Sequence, residues 1–579
     1  MRRILAFMSL SRGSRYSSAA TLILPWCLVL CCASSSGYPA QQAANPAKPT
    51  QKPSPEEVEQ ANQRAYFVGL IEASVSQASG FEAGTQAWLL LSAAGAIQGT
   101  DPSEARSYLL SAYEAAEKVS LLDTDDLRAN IQGNVVEKLS NSDPDKAFEL
   151  LEGMDKPNWT INPHEDFRNW IASDIAAAFL ARNAAGDRDK AREVFRFTGD
   201  TGQYPYKGAV QLIGLLEGRD NEITRSEIFS EAMSYFDKEQ GSSERFQSTP
   251  LDFTTLITSS ADHVPVSMTR QAIRDVVETT RKQELGTPAE DSENPMKPLT
   301  IRLTSATGQQ LTFNKVSTYI GFELYPLALR IDPDLAKWIL EGDANLNQMT
   351  ANQSSSDLEN WLKATPFYIY GTPNAARSTT INQLIQGQTQ AGQAEKLASS
   401  DPDQAVGLSE KIEPPAFRAE ALAGVAVQIA KTQPSRARLL LGDAADALSK
   451  AADDDEKVRA YMAVSRGWVA LQDSKAASDS NGQAFRVGGR VYDKEIKDRP
   501  GVRPLLQESV NLLGMVCDME AKLDSGEAVK MAESFSDAVV RTDLMLSIAR
   551  RGLADLPQPL NKQEPAKAKP KEGTAGRNG

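Results

Sequence analysis

The sequence predicts an all-α fold: an irregular α-α superhelix, or solenoid, of helical hairpins with a small β-hairpin or loop-rich insertion near its middle. Three observations carry that reading. The segments LRANIQGNVVEKLSNSDPDKAFELLEGM and FRAEALAGVAVQIAKTQPSRARLLLGDAADAL share one pattern. In each, an Arg-Ala pair opens an apolar helix, a polar break ends at a proline, and an alanine three positions on starts another apolar stripe. Arg128 to Pro144 and Arg418 to Pro434 are the same sixteen-residue step. Second, Asp-Pro pairs recur at Asp101, Asp143, Asp332 and Asp401; the aspartate caps a first helical turn and proline fits the first helical position, where an N–H would be orphaned anyway. Third, alanine fills many of the apolar positions. A hairpin of two such helices exposes a stripe it cannot bury alone, so neighbours must cover one another.

Residues 1–37 read as a signal peptide. Arg2, Arg3, Arg12 and Arg15 precede the apolar run Ala19–Ala33, and the small residues Ser34 to Gly37 offer a cleavage zone. The expected location is exported: periplasm, cell envelope or extracellular space. The run is shorter than the roughly 20 residues of a membrane span and holds Pro25, so no integral membrane domain is expected after cleavage. A lipid anchor at Cys31 or Cys32 is disfavoured, because Leu30 and Cys31 stand where lipidation expects a small residue.

Residues 38–55 form a Pro/Ala/Gln-rich flexible linker, with order beginning near Glu56. Residues 56–238 make an N-terminal helical repeat region. Tyr66, Leu70 and Ala73 set its first stripe, Trp88, Leu91 and Ile97 belong to the next segment, and Asp187 opens a proline-less unit. Asp101 to Asp143 spans 42 residues, about two helices and their turns, but other intervals differ, so the repeat is degenerate. Residues 239–380 form a helical region with loops. There LTIRL and QLTF flank TSATGQ as a β-hairpin, and PFYIYG reads as an aromatic anchor of a long connection or a docking loop. Residues 381–556 return to helical repeats, although the glycines in the segment from Ser474 argue for a mobile interruption. Residues 557–579, rich in Pro, Lys and Glu, read as a disordered tail.

The alternation of helix pairs and small crossing residues resembles tetratricopeptide-like solenoids over about half the chain. The consensus Trp-Leu-Gly-Tyr arrangement of that family is not reproduced at its spacing, so no specific family is identified. What the resemblance implies is a fold texture and a surface presented to a protein or peptide. It transfers no ligand-binding residue.

Composition narrows the chemistry. The formal net charge is −14, which repels phosphate backbones, and no dense Lys/Arg run interleaved with aromatics appears; no nucleic-acid partner is expected. After signal cleavage Cys517 alone would remain of the four cysteines, a buried small hydrophobe by its apolar setting. The two histidines leave little acid–base chemistry. His164 precedes a helix that holds Phe167 and Trp170, and His263 follows Ser259, Ser260 and Asp262 without the spatial convergence a triad needs. No HExxH, paired CxxC, calcium-loop, P-loop or dinucleotide motif occurs. The acid runs Asp123–Asp126 and Asp453–Glu456 read as caps or solvated faces.

The expectation is therefore no catalytic, cofactor-binding or metal residue and no cofactor. The chain reads as an exported, non-catalytic helical-repeat scaffold for a protein or peptide ligand. Its alternative is a carbohydrate-active helical toroid enzyme that uses paired carboxylates. Against the latter stand aromatics at only 7%; Trp159, Trp170, Trp338, Trp361 and Trp468 read as inter-helix anchors.

Overall fold

The fold is taken from a computed structural model. It describes residues 54–120, 127–155, 167–200, 204–239, 249–285, 299–304, 310–351, 358, 361, 367–370 and 375–557. The signal segment, residues 38–53 of the linker, the tail beyond Pro557, Asp123–Asp126, Trp159 and His164 lie outside the described residues.

The described chain is almost all helix. It begins with α1 (Pro55–Ala78), α2 (Ala83–Ile97), α3 (Pro102–Glu117), α4 (Leu127–Ser140), α5 (Pro144–Glu152), α6 (Arg168–Arg182), α7 (Asp187–Asp200) and α8 (Tyr206–Leu215). Next come α9 (Glu222–Glu239), α10 (Thr249–Ser260), α11 (Val266–Leu285), strands β1 (Leu299–Thr304) and β2 (Gln310–Phe313), α12 (Val316–Ile331), α13 (Pro333–Glu341) and α14 (Ala344–Ala351). After β3 (Phe367–Tyr370) the chain forms α15 (Ala375–Ala398), α16 (Pro402–Glu410), α17 (Pro415–Ile429), α18 (Pro434–Ser449), α19 (Asp455–Ala470), α20 (Ser474–Asp498), α21 (Glu508–Leu523), α22 (Ser525–Glu533) and α23 (Ala538–Asp555).

One local device recurs. The helices α5, α13, α16 and α22 are each nine residues long. They are capped by Asp143, Asp332, Asp401 and Asp524, whose carboxylates accept first-turn backbone N–H groups. Four residues after each cap stands an alanine: Ala147, Ala336, Ala405 and Ala528, none more than 1% exposed. The same spacing relates Asp101 to Ala105, Asp187 to Ala191, Gln433 to Ala437 and Asp473 to Ala477, all four alanines being buried. A cap fixes where the helix starts, and the alanine on its inner face sets how near the neighbouring backbone comes.

A second device joins each short helix to its successor. The last carbonyls of a helix have no partner within it. Arg168 Nη1 donates to the Met154 carbonyl at 2.9 Å, Arg418 Nε to Ile412 at 2.8 Å and Arg541 Nη1 to Phe535 at 3.0 Å. Each of those carbonyls lies two residues beyond α5, α16 or α22, on a residue whose side chain is buried. Arg128 pairs with Asp155 at 2.8 Å instead. The Arg128 and Arg418 recurrence is thus architectural, and Arg168 and Arg541 are further copies that the sequence pattern alone did not single out.

The chain divides into two compact units. One comprises the described residues of Met1–Thr85, Ser92–Ala105 and Gln390–Gly579; the other comprises those of Gln86–Leu91 and Arg106–Thr389. In the second unit alternate helices form a ladder, α4 on α6, α6 on α8, α8 on α10, α10 on α12 and α12 on α14. The intervening helices pack beside it, α7 on α6 and α13 on α12 among them. In the first unit the ladder runs α17, α19, α21, α23, and α1 packs on α23 as its next rung. Phe67 of α1 lies so close to Gly552 of α23 that a Cβ there would sit 2.2 Å from its ring. Arg64 Nη2 donates to the Pro557 carbonyl at 2.6 Å, and Thr542 Oγ1 donates to Gln77 Oε1 at 3.1 Å. These pairings run α1 antiparallel to α23.

The middle insertion is a three-stranded antiparallel sheet of order β2-β1-β3. The expected hairpin is present, with Ile301 opposite Phe313 and Leu303 opposite Leu311. Its buried face (Ile301, Leu303 and Phe313) packs on α12, where Phe313 meets Tyr319 and Phe322 at 5.3 and 5.2 Å between ring centres. Within PFYIYG, Phe367–Tyr370 is a strand that pairs with the other edge of β1, Ile301 opposite Tyr368. A strand edge with a partner more than sixty residues away is not visible in local sequence.

The segment from Ser474 is a second departure. It is one 25-residue helix, capped by Asp473, rather than a mobile interruption. Two of its glycines are contact residues: a Cβ on Gly488 would meet Leu513 at 2.9 Å and one on Gly489 would meet Phe535 at 3.7 Å. Close packing against α21 outweighs the roughly 1 kcal/mol that a helical glycine costs relative to alanine.

Substituting Ala147 or Ala437 by leucine should each destabilise the protein by about 1–3 kcal/mol. Leu439→Ala, at a 70% exposed site, should change stability by less than about 0.5 kcal/mol; chemical denaturation of the three variants checks the contrast. Phe67→Ala should cost about 3–5 kcal/mol and make α1 the first site of limited proteolysis.

Candidate functional site

The second unit carries an open groove of about 170 Å³ walled by α7 and α9. On α7, Arg188, Arg192 and Arg196 recur every four residues and so share a face. Opposite them α9 and the turn before it supply Asp220, Thr224, Glu227 and Glu231. The floor is apolar, made of Leu180, Ala191, Phe195, Leu212, Leu216 and Ile228.

Aromatic residues stiffen that floor. Phe195 meets Tyr204 edge-on at 5.8 Å, and Tyr204 lies 5.3 Å from Tyr235. The cluster continues from Tyr206 to Phe253 and from Phe253 to Phe236, which stack at 4.6 Å. Aromatics are few in the chain, yet this corner collects six. The Tyr204 hydroxyl donates to the Ile228 carbonyl at 2.7 Å and ties the segment before α8 to α9; burial holds that hydroxyl's pKa well above the usual tyrosine value. Arg225 donates to the carbonyls of Gly218, at 3.0 Å, and His263, at 2.8 Å, fixing the turn that enters α9.

The walls are unevenly neutralised. Arg192 and Glu227 form an ion pair across the groove. Glu231 makes no hydrogen bond or ion pair with a described residue, though solvent still reaches its side chain. Partial desolvation raises its pKa above the ordinary carboxylate value; Arg196 opposes that rise and Glu227 adds to it. Arg188 is exposed and likewise forms no ion pair among the described residues. Beside the groove, the buried Asp187 accepts from Arg182 Nε and Nη2 at 2.9 and 2.6 Å and from the Ala184 N–H at 2.8 Å. Those donors, Arg182 foremost, hold its pKa down at about 2.

The chemistry weighed from sequence does not assemble around His263. Its side chain is exposed, Asp262 pairs with Arg330 at 3.0 Å, and Ser260 is fully buried on α10. Cys517 is buried and its thiol pKa is pushed up by burial, as suits a packing residue. Among the described residues no group of His, Cys, Asp or Glu is arranged to hold a metal ion. Of the Asp453–Glu456 run, Asp454 caps α19 and Asp453 engages Lys457 and Arg490. Trp338 lies under the Arg281 guanidinium at 5.3 Å, and Trp361 is buried.

Carboxyls with raised pKa values are scattered over several helices. Asp455, at the start of α19, is pushed up to about 6 by burial and by Glu508 and Glu495, but Glu508 is held by Arg459 and Glu495 by Ser509. Asp543 on α23 is also raised to about 6 by burial. Only Glu231 of this set lines the groove. The groove was not singled out from sequence. The arginine spacing in DRDKAREVFRF and the Glu227–Glu231 step were legible signals, but their facing one another is a product of packing.

No family model matches the chain. No curated protein matches it either. Among solved structures it is similar to a circular tandem repeat protein with novel repeat topology and enhanced subunit contact surfaces, at 11% identity over 86% of this chain and 98% of that one. The TM-score is 0.14, too low for the likeness to carry an argument.

Glu323 on α12 gives a pH prediction. Burial lifts its carboxyl to about 7, against a hydrogen bond from Tyr319 that favours ionisation. The folded protein therefore keeps a proton that the unfolded chain sheds above its ordinary value of 4.5, so this residue's contribution to stability falls as pH rises from that value to about 7. Glu323→Gln should raise stability at pH 8 by up to about 3 kcal/mol and leave it nearly unchanged at pH 4, measured by denaturant unfolding at both pH values.

Proposed function

We propose that this protein is an exported, non-catalytic helical-repeat scaffold that binds another protein, with the α7–α9 groove as a docking point. The observation that carries the reading is the groove's size and character. Small-molecule and cofactor pockets enclose about 300–1,000 Å³, and this groove, at about 170 Å³, is open and ion-walled. It suits one anchoring side chain of a macromolecule, the usual unit of interface energy. Leu215 and Ile223, adjacent in sequence to the lining residues Leu216 and Thr224, are 45% and 73% exposed, and offer an apolar rim. The basic, apolar and small-residue order of residues 1–37 supports export to the periplasm, cell envelope or outside. No helix among the described residues is long and apolar enough to cross a membrane.

The carbohydrate-active reading rests on Glu227 and Glu231, one turn apart in the groove, with the Glu231 carboxyl raised. Arg192 already engages Glu227, so this pair does not offer the two free carboxyls that acting on a sugar requires.

Affinity capture from envelope extracts, comparing the natural protein with Thr224→Trp, tests the proposal. A partner recovered by the first and lost with the second, both equally folded, is the expected result. Equal recovery would remove the groove from the interface. Product release from a glycan panel, abolished in Glu231→Gln, would replace the scaffold reading with the enzymatic one.

A further inference from the structure

Of the charged groups that line the groove, three are arginines and four are carboxylates. Arg192 and Glu227 neutralise each other. What remains is Arg188 and Arg196 against Asp189, Asp220 and Glu231, a residual negative balance in a chain whose net charge is −14. Glu231 stands out among them. It lies one helical turn from Ile228 of the apolar floor; like Asp189 and Asp220 it has no ion-pair partner among the described residues, and its side chain, though exposed, is partly desolvated.

We propose that the groove takes the cationic side chain of a basic, amphipathic partner segment, an Arg or Lys, with Glu231 as its counter-ion. The inference deepens the protein-binding reading and rests on it. The stem of either residue is apolar and fits a floor of Phe195, Leu212 and Ile228, while the head group reaches the carboxylate. Apolar neighbours of that residue would cover Leu215 and Ile223. A cation also offsets the cost of keeping Glu231 ionised against a desolvating wall.

The opposite occupant, an acidic side chain on Arg188, gains less. Arg188 and Glu231 are both exposed, so exposure, which limits a new ion pair to about 0–1 kcal/mol, does not separate them; the charges around Arg188 do. It has Asp189 beside it in sequence and Asp220 in the same lining. The long-range field of an acidic protein further favours encounter with a basic segment.

Two synthetic peptides of equal length, one alternating Arg and Leu and one alternating Glu and Leu, provide the probes. Their binding to the full chain is measured by fluorescence anisotropy at physiological salt. The basic peptide should bind about tenfold more tightly than the acidic one. Glu231→Gln should weaken it about twofold to fivefold, and Thr224→Trp should abolish it. Asp446→Asn removes an exposed carboxylate on α18 and should leave binding unchanged, which separates a site from diffuse attraction. If Thr224→Trp abolishes binding but Glu231→Gln does not weaken it, or the acidic peptide binds as tightly as the basic one, the docking reading stands and the cationic inference falls. If Thr224→Trp leaves the basic peptide bound as before, the groove is not its site and both fail.

Discussion

The close approach of helices at small residues governs this structure. A capped helix places an alanine four residues from its cap, facing inward. Where that alanine or a glycine such as Gly488 or Gly552 meets a neighbour, the backbones come near enough for large side chains to interlock beside them. The device suits a repeat fold because it is local. Each hairpin needs only its own cap and small residue to present a stripe, and the next hairpin supplies the cover. The arginine bonds to carbonyls beyond α5, α16 and α22 add a second local fixture: they satisfy acceptors that the short helices leave open and aim the next helix.

Such stacking raises the question of what covers the last stripe. In the first unit α23 is covered by α1, through contacts between residues nearly five hundred positions apart. The entropy of closing so long a loop grows only logarithmically with its length, so burial of Phe67, Ile71 and Ala78 need not be exceptional to hold it.

The groove grows out of the same architecture. α7 and α9 lie outside the ladder of alternate helices and keep a charged face, so their arginines and carboxylates meet at a surface rather than in a core. The Arg192–Glu227 pair satisfies one rung of that meeting and leaves Glu231, with Asp189 and Asp220, unmatched among the described residues. The aromatic cluster behind Phe195 gives the floor a rigidity that surface ion pairs alone would not supply, since those are individually weak and screened by salt.

Much of the architecture was legible in the sequence because its signals act over a few residues. An aspartate followed by proline caps a helix in any context, alternation in LTIRL and QLTF makes a hairpin, and an apolar surround buries Cys517. Other features depended on partners far along the chain. β3 exists because β1 offers an edge, the helix from Ser474 tolerates Gly488 and Gly489 because Leu513 and Phe535 pack against them, and the groove exists because two polar helix faces turn toward each other. By itself the sequence determined helix starts, the all-α class and the lack of familiar catalytic motifs. Tertiary packing decided which charges face one another, for the pairing of distant surfaces depends on where helices cross and not on local periodicity.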